Sequence, residues 1–183
     1  MLKIALVGNI ASGKTTVENI LKNNGFAVYD TDKMAHEILD KSELAKKEFP
    51  SSVINGKIDR KILAGIVFNN PDKLKLLESI IHPEVKKEIL KISDKVAFVS
   101  IPQLFEANMQ SLFDKIIFIS ASEETRLKRL MSRNNLSLED AVKRINAQMD
   151  EAEKIKKSDF VIYNNGTQKE LETQVLSILS NIC

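Results

Sequence analysis

The chain has 183 residues, of which 43% are hydrophobic and 28% charged, a composition that fits one globular domain and excludes a disordered chain. Lysine and arginine total 27 and aspartate and glutamate total 25, so the small net charge disfavours a strongly basic nucleic-acid binder. Cys183 is the single cysteine, which excludes an internal disulfide and a cysteine-rich zinc site. The apolar run at residues 2–7 is too short for a signal peptide or a membrane span. We therefore expect a cytoplasmic protein with neither a membrane partner nor a nucleic-acid partner.

Short apolar runs alternate with helical patterns along the chain. The runs are rich in valine, isoleucine and phenylalanine and lack polar alternation, which is typical of strands that are covered on both faces. Because helices are predicted between the runs, the fold class is α/β, a three-layer architecture with a parallel sheet between helices. Five strands are predicted, at residues 2–7, 27–29, 96–100, 116–119 and 160–163.

Two stretches, residues 34–91 and 123–157, contain helical patterns and no strand pattern. We expect both to be helical insertions around the sheet. In the first, an apolar stripe from Leu74 to Ile89 is interrupted by Pro83, so a kink or a break of the helix is predicted there. Helix-capping sequences predict three further helix starts, at Asn70, Ser137 and Thr167.

Residues 8–15, G-N-I-A-S-G-K-T, match the phosphate-loop pattern G-x-x-x-x-G-K-[ST] between a predicted strand and a predicted helix. In such a loop, backbone N–H groups and the N-terminus of the following helix bind phosphate oxygens. We expect Lys14 to reach the β- and γ-phosphates of a nucleotide and Thr15 to ligate the Mg²⁺ that the phosphates bring. Ala11 is expected to have a negative φ, because a residue with a Cβ reaches positive φ only at a cost. The predicted nucleotide-binding residues here are Gly8, Asn9, Ile10, Ala11, Ser12, Gly13, Lys14, Thr15 and Thr16.

The other motifs of a GTPase, D-x-x-G and N-K-x-D, are absent from the sequence. The apolar runs that end near Ser100 and Ser120 also lack the terminal aspartate with which a hydrolytic ATPase holds Mg²⁺. Two carboxylates, Asp30 and Asp32, follow the second predicted strand, at the sheet edge that the phosphate loop shares. A carboxylate there can accept a hydroxyl proton or help to hold Mg²⁺, which suits phosphoryl transfer to an alcohol. One of the two is expected to be only the N-cap of the next helix, and the pattern leaves open which one.

Basic residues cluster on the predicted helix that follows the fourth strand. Arg126, Arg129 and Arg133 share one helical face, on which positive charge can stabilise a transferring phosphoryl group. For any single arginine of the three, a solvated surface position is the simpler expectation. The two histidines, His36 and His82, lack a partner at metal-ligand spacing, so no zinc site is predicted.

An ordered set of motifs extends beyond the phosphate loop. It consists of D-T-D at residues 30–32 with a histidine four residues on, H-P at 82–83, I-P-Q-L-F-E at 101–106, R-I-x-x-Q at 144–148 and S-D-F-V-I-Y-N-N-G at 158–166. In this order the motifs resemble those of the dephospho-coenzyme A kinase family, over nearly the whole chain. The sequence departs from the family at Asn9 and Ala11, where glycines are frequent, and at Gln103 and Tyr163, which replace an apolar and an acidic residue.

The resemblance implies one P-loop kinase domain over residues 1–183. Within it, the nucleotide core would comprise residues 1–33, 94–122 and 158–183, the acceptor-binding helical insertion residues 34–93, and a lid residues 123–157. The implied reaction transfers the γ-phosphoryl group of ATP to the 3′-hydroxyl of the dephospho-CoA ribose, giving CoA and ADP, the last step of coenzyme A biosynthesis. ATP and dephospho-CoA would be the partners and Mg²⁺ the metal.

The resemblance also assigns roles by position. Asp32 is implied as the general base, with Lys14 and Arg133 as further catalytic residues. Further ATP-binding residues are implied at Arg144, Asn165 and Gly166, and substrate-binding residues at Asp32, His82, Phe105 and Glu106.

Two alternatives remain open at the level of sequence. The first is another P-loop kinase that acts on a small molecule or a nucleoside monophosphate. The second, suggested by the basic helix, is a nucleotide-binding regulatory or nucleic-acid-binding protein without phosphoryl transfer. We favour a monomer over an oligomer.

Overall fold

The structure, a computed structural model, describes residues 1–68 and 70–182, so the single cysteine, Cys183, lies outside the described residues. The chain divides into two compact units. The first unit comprises residues 1–29 and 93–183, and the second comprises residues 30–92.

A five-stranded sheet forms the centre of the first unit, in the order β2-β5-β1-β6-β7. β1 pairs in parallel with both β5 and β6, and β6 pairs in parallel with β7. All five strands predicted from the apolar runs are confirmed, with ends that shift by at most one residue. The strands are β1 (Leu2–Gly8), β2 (Ala27–Asp30), β5 (Val96–Ser100), β6 (Lys115–Ser120) and β7 (Phe160–Tyr163).

Two helices, α1 (Lys14–Asn23) and α9 (Gln168–Ile182), pack together and complete the main apolar core with strands of the sheet. Phe26 and Phe98 meet edge to face in this core, with ring centroids 5.4 Å apart. The burial of β1 is nearly complete, because its residues Lys3 to Gly8 are all buried. A strand covered on both faces cannot alternate polar and apolar residues, which is why the sequence pattern identified it.

Three shorter helices of the first unit lie between β6 and β7 in the chain. α6 packs against α7 around a small core of Leu130, Ala141 and Ile145, whereas α8 contacts β6. The bounds of the three helices are Glu123–Asn134 for α6, Leu138–Asn146 for α7 and Glu151–Lys156 for α8.

The second unit is mostly helical, but it also contains a β-hairpin, β3 (Val53–Ile54) and β4 (Lys57–Ile58). The prediction that residues 34–91 contain no strand is therefore wrong. The connecting residues, Asn55 and Gly56, both have positive φ, as a two-residue hairpin turn of this handedness requires. The four helices of the unit are α2 (Thr31–Lys41), α3 (Glu43–Glu48), α4 (Arg60–Val67) and α5 (Pro71–Lys91).

Helix α5 continues through Pro83 for 21 residues, so the predicted break does not occur. Proline removes one backbone N–H donor and crowds the carbonyl one turn earlier. Against this cost, Ile81, Val85 and Ile89 on the same helix are buried, and α5 packs against both α2 and α4. The tertiary packing of this apolar stripe outweighs the local penalty at Pro83.

All three predicted helix starts are confirmed. The side chain of Asn70 accepts from the N–H of Lys73, and that of Ser137 accepts from the N–H of Asp140. Thr167 and Glu170 bond reciprocally, and the hydrogen bonds that Thr167 donates lower the pKa of the Glu170 carboxyl.

In the part of the chain that the structure describes, no helix has both the length and the apolar character needed to cross a membrane.

Candidate active site

The loop between β1 and α1 contains two residues with left-handed backbone conformations. Ala11 has φ 61°, and Gly13, which precedes the first residue of α1, has φ 95°. The expectation of a negative φ at Ala11 is therefore wrong. An alanine in this conformation costs about 1–2 kcal/mol. Ala11 packs against the apolar cluster of α6 and α7, and its carbonyl accepts a hydrogen bond from Arg129, so tertiary contacts offset the cost.

Both glycines of the loop pattern are required by close packing. A Cβ on Gly13 would lie 2.0 Å from Asn164 Nδ2, and a Cβ on Gly8 would lie 2.9 Å from the carbonyl oxygen of Ile119. Neither distance is compatible with a side chain. The loop backbone can therefore approach the ends of β6 and β7 only because these two positions lack a Cβ.

Two polar side chains of the loop are buried without a hydrogen-bond partner among the described residues. They are Asn9, whose Oδ1 is unpaired, and Ser12, whose Oγ is unpaired. Ser12 is only 1% exposed. Leaving such a group unsatisfied costs about 1–3 kcal/mol, so it is expected where a ligand supplies the partner. The Ser12 hydroxyl can donate to a phosphate oxygen, which fits an anion site.

The ammonium group of Lys14 lies in a small buried cluster. Its Nζ is 3.1 Å from Glu18 Oε1, one turn along α1, and also contacts the hydroxyl of Ser100 at the end of β5. The Ser100 hydroxyl donates to the same Glu18 oxygen at 2.7 Å. A carboxylate of α1 therefore lies next to the end of β5, where the sequence has no aspartate.

Arg129 of α6 holds the loop in place through three backbone carbonyls. Its Nη1 is 3.4 Å from the oxygen of Ala11 and 3.3 Å from that of Ser12, and its Nη2 is 3.0 Å from the oxygen of Asn164. Asn164 also donates from Nδ2 to the Ser12 oxygen at 2.8 Å. A guanidinium presents its donors in a fixed planar fork, which suits this bridging role.

A further contact fixes the loop from the segment that follows α7. The backbone N–H of Ile10 donates to Gln148 Oε1 at 2.7 Å, and Ile10 packs against the apolar cluster of α6 and α7. Of the R-I-x-x-Q motif, Ile145 is buried in that cluster, whereas Arg144 is exposed. The motif therefore joins the helical segment to the loop through Ile145 and Gln148.

Arg126 lies on the same helix as Arg129 and is 7% exposed, so the expectation of a solvated arginine is wrong here. Its Nη2 is 3.4 Å from Glu151 Oε2, and the other oxygen of Glu151 accepts from the hydroxyl of Ser120. The Nε and Nη1 atoms of Arg126 have no partner among the described residues. Arg133, in contrast, is exposed near the end of α6, where its Nε donates to Asn134.

The segment after β7 contains Asn165 and Gly166, two predicted nucleotide-binding residues. Asn165 Oδ1 accepts from the backbone N–H of Ser122 at 2.7 Å, which ties the segment to the start of α6. An open groove of about 450 Å³ adjoins it. The groove is lined by Tyr163, Asn165, Gly166, Glu170, Thr173 and Gln174.

The segment after β5 contains Phe105 and Glu106, two predicted substrate-binding residues. Phe105 is 5% exposed, so its ring supports the segment from within the protein. Glu106 accepts from Lys154 Nζ of α8 at 2.7 Å, and Lys154 is fully buried. A buried lysine requires such a counter-charge, so one Glu106 oxygen is committed to a structural pair.

The remaining predicted residues belong to the second unit. Asp30 is the N-cap of α2, because its Oδ1 accepts from the N–H groups of Asp32 and Lys33. The prediction that one of the two aspartates is a cap is thereby confirmed. Asp32 and His36 are exposed on α2, and His82 is half-buried on α5, which packs against α2.

Thr15 is exposed in the first turn of α1 and is the loop residue whose hydroxyl can ligate a hard cation. Among residues 1–68 and 70–182, no group of three or more histidine, cysteine, aspartate or glutamate side chains is arranged to hold a metal ion.

Four residues at the loop were not predicted as site residues, namely Glu18, Ser100, Asn164 and Gln148. Glu18 could have been found from its spacing, since i and i+4 positions of a helix meet. Asn164 and Gln148 lie in motifs that the sequence analysis recognised, but their contacts with the loop span more than 130 residues of chain. No local pattern encodes contacts of that separation.

Comparison with known proteins gives a consistent result. The family profile described as dephospho-CoA kinase matches residues 2–170. A dephospho-CoA kinase of Carboxydothermus hydrogenoformans is 44% identical, with 96% of this chain and 92% of that protein covered. The crystal structure of TT1252 from Thermus thermophilus is 36% identical and superposes with a TM-score of 0.87, covering 100% of this chain and 98% of that one.

A dephospho-CoA kinase from Campylobacter jejuni superposes with a TM-score of 0.76 at 36% identity, covering 98% of this chain and 96% of that one. The profile, the relatives and the solved structures span almost the whole chain, including the phosphate loop. The chain therefore belongs to the dephospho-CoA kinase family.

Proposed function

We propose that the protein transfers the γ-phosphoryl group of ATP to the 3′-hydroxyl of the ribose of dephospho-CoA, giving CoA and ADP. The observation that carries the proposal is the phosphate loop, in which the buried Ser12 hydroxyl lacks a partner among the described residues while Lys14 stands beside it in the chain. This loop lies in a chain of the dephospho-CoA kinase family.

The loop and α1 would bind the phosphates of ATP. Backbone N–H groups of the loop other than those of Ile10 and Ser12, which are bonded within the protein, favour negative charge together with the N-terminus of α1. The Lys14 ammonium adds a positive charge. Arg129 bonds the carbonyl oxygens of Ala11 and Ser12 and so holds the loop backbone in its conformation. We assign ATP binding also to Thr16, Arg144, Asn165 and Gly166.

Transfer requires a base for the acceptor hydroxyl, and we assign this role to Asp32. The position of Asp32 in the D-T-D motif supports this assignment, and the other carboxylate of the motif, Asp30, bonds the first N–H groups of α2. As the 3′-oxygen forms its bond to the γ-phosphorus, the bond from that phosphorus to the bridging oxygen breaks. ADP leaves with the electrons of that bond, and the hydroxyl proton goes to Asp32.

Arg133 is proposed to stabilise charge on the transferring group, and His82, Phe105 and Glu106 to line or support the acceptor site. Mg²⁺ is proposed to bind with ATP, and its chemistry would be to neutralise charge on the phosphate oxygens. The Thr15 hydroxyl is a suitable ligand for Mg²⁺, because its oxygen is exposed in the first turn of α1.

We further propose that three regions of the chain have the separate roles that the motifs suggest. Residues 1–33, 94–122 and 158–183 would form the nucleotide core, residues 34–93 the acceptor region and residues 123–157 a lid. We also propose a cytoplasmic monomer without nucleic-acid or membrane partners, and the small net charge of +2 supports the absence of a nucleic-acid partner. Light scattering on a sizing column would measure the oligomeric state.

A coupled ADP-release assay tests the reaction. Dephospho-CoA with ATP and Mg²⁺ should give steady turnover, and ³¹P NMR of the product should show a new 3′-phosphomonoester. Nucleoside monophosphates serve as competing acceptors. Turnover with one of these, and none with dephospho-CoA, would contradict the proposal.

A further inference from the structure

Glu18 is a buried carboxylate next to a loop built to bind negative charge. The residue is 5% exposed, and it lies one helical turn after Lys14. Two groups surround its Oε1 atom, the Lys14 ammonium at 3.1 Å and the Ser100 hydroxyl at 2.7 Å. The Ser100 hydroxyl of β5 donates a hydrogen bond to the Glu18 carboxylate, and Lys14 of α1 forms an ion pair with it. These two contacts fix the orientation of the carboxylate.

The Lys14 ammonium would have to interact with two negatively charged groups at once, the Glu18 carboxylate and the phosphates of ATP. A buried carboxylate needs its counter-charge, and the polyphosphate of ATP needs the same ammonium. An ammonium group has three donors, so Lys14 can serve both Glu18 and a phosphate oxygen, but its single positive charge is then shared. A negative charge that binds the Lys14 ammonium is repelled by Glu18, whose Oε1 lies 3.1 Å from the same nitrogen, and the burial of Glu18 limits solvent screening.

We propose that Glu18 makes nucleotide binding at this loop depend on a divalent cation, by discriminating against metal-free ATP. This inference rests on the proposed use of ATP. Metal-free ATP carries more negative charge than its magnesium complex and is therefore repelled more strongly by the Glu18 carboxylate. Magnesium-bound ATP brings positive charge that compensates Glu18, so the Lys14 ammonium becomes available to the phosphates.

Glu18 lies beside the end of β5, where the strand itself supplies only the Ser100 hydroxyl. The negative charge of Glu18 repels metal-free ATP, and its ion pair positions the Lys14 ammonium. Glu18 is therefore a positioning residue that affects nucleotide selectivity, and it is not a catalytic residue. Removing the charge should affect the binding of metal-free ATP far more than that of the magnesium complex.

The test is equilibrium binding of ATP, by calorimetry, in excess Mg²⁺ and in excess EDTA. The wild-type protein should bind ATP at least about tenfold more tightly with Mg²⁺ than with EDTA, the effect of a single close charge. In Glu18→Gln the affinity in EDTA should rise about tenfold, whereas the affinity in Mg²⁺ should change less than about threefold. The ratio of the two affinities therefore falls about tenfold.

Two control variants separate charge from structure. Ser100→Ala keeps the Glu18 charge and should keep the wild-type ratio within about threefold. Glu172→Gln makes the same chemical change at an exposed position of α9 and should leave both affinities unchanged. An unchanged ratio in Glu18→Gln would overturn the proposal.

If Glu18→Gln does not fold, as judged by circular dichroism, Glu18→Met offers an uncharged side chain of similar volume with the same expected ratio. Equal affinity of the wild-type protein for ATP in Mg²⁺ and in EDTA would overturn the proposal without any variant. Dephospho-CoA is absent from these measurements. A wrong acceptor would therefore appear in the turnover assay and leave the binding ratio untouched.

Discussion

The phosphate loop and the start of α2 both present polar groups, but different interactions hold them in place. The loop is bonded by Arg129, Gln148 and Asn164, which lie more than 110 residues away in the chain. The start of α2 is held by Asp30, whose carboxylate bonds N–H groups two and three residues ahead. Changes around the loop should therefore propagate through the first unit, whereas changes at α2 should remain local.

The largest effect is expected at α2. Asp32→Asn should lower kcat about 10²–10⁴-fold, the usual contribution of a general base, while ATP affinity stays close to that of the wild type. The coupled assay and calorimetry measure the two quantities. Asp30→Asn is the matched control, because asparagine caps a helix as well as aspartate does. If Asp30→Asn loses more turnover than Asp32→Asn, the roles of the two aspartates are reversed.

The next effect is expected at the loop itself. Lys14→Ala should lower kcat/KM about 10²–10³-fold, because a preorganised positive charge at the phosphates is lost, and ATP should also bind more weakly. Unlike the change at Asp32, this one should alter binding and turnover together. Lys128→Ala, an exposed lysine of α6, is the control and should retain full activity. Wild-type ATP affinity in Lys14→Ala would contradict the role assigned to the ammonium.

The long-range support of the loop can be broken at Arg129. Arg129→Met removes charge-assisted hydrogen bonds to three carbonyls, which should cost about 1.5–3 kcal/mol in the free energy of unfolding. Urea titration measures the loss, and ATP affinity should fall in parallel because the loop loses its support. Lys128→Met, on the exposed face of the same helix, should leave both quantities unchanged. Loss of stability without any loss of ATP affinity would show that the loop keeps its conformation without Arg129.

The smallest effect is expected at a local cap, Thr167 with Glu170. The pKa of the Glu170 carboxyl is lowered because Thr167 donates to the charged form. The stabilisation is therefore present above the carboxyl's unfolded pKa and is lost as the pH falls through its lowered folded pKa. Glu170→Gln should have a lower Tm than the wild type at pH 7, and the difference should vanish in acid. Thermal melts at several pH values measure it, and a difference that persists in acid would exclude this cause.

Local sequence signals predicted most of the first unit and one helix start of the second. The five strands were found because each is a short apolar run, and the caps at Asn70, Ser137 and Thr167 because their hydrogen bonds span three residues. The hairpin at residues 53–58 was missed because its strands are two residues long, although Asn55-Gly56 is the preferred turn sequence. Of the two outcomes predicted at Pro83, a kink or a break, the break does not occur because the packing of α5 overrides the local penalty.

The sequence by itself determined the phosphate loop, the α/β architecture and the likeness to one kinase family, because these depend on residue order and on periodicity. Only the tertiary structure decided that Ala11 adopts positive φ, that Arg126 is buried, and that Glu18 meets Lys14 beside Ser100. Each of these depends on groups that are brought together from distant parts of the chain, where burial and close charges outweigh local preferences. The near balance of 27 basic and 25 acidic residues thus hides a partly buried ion pair at the candidate nucleotide site.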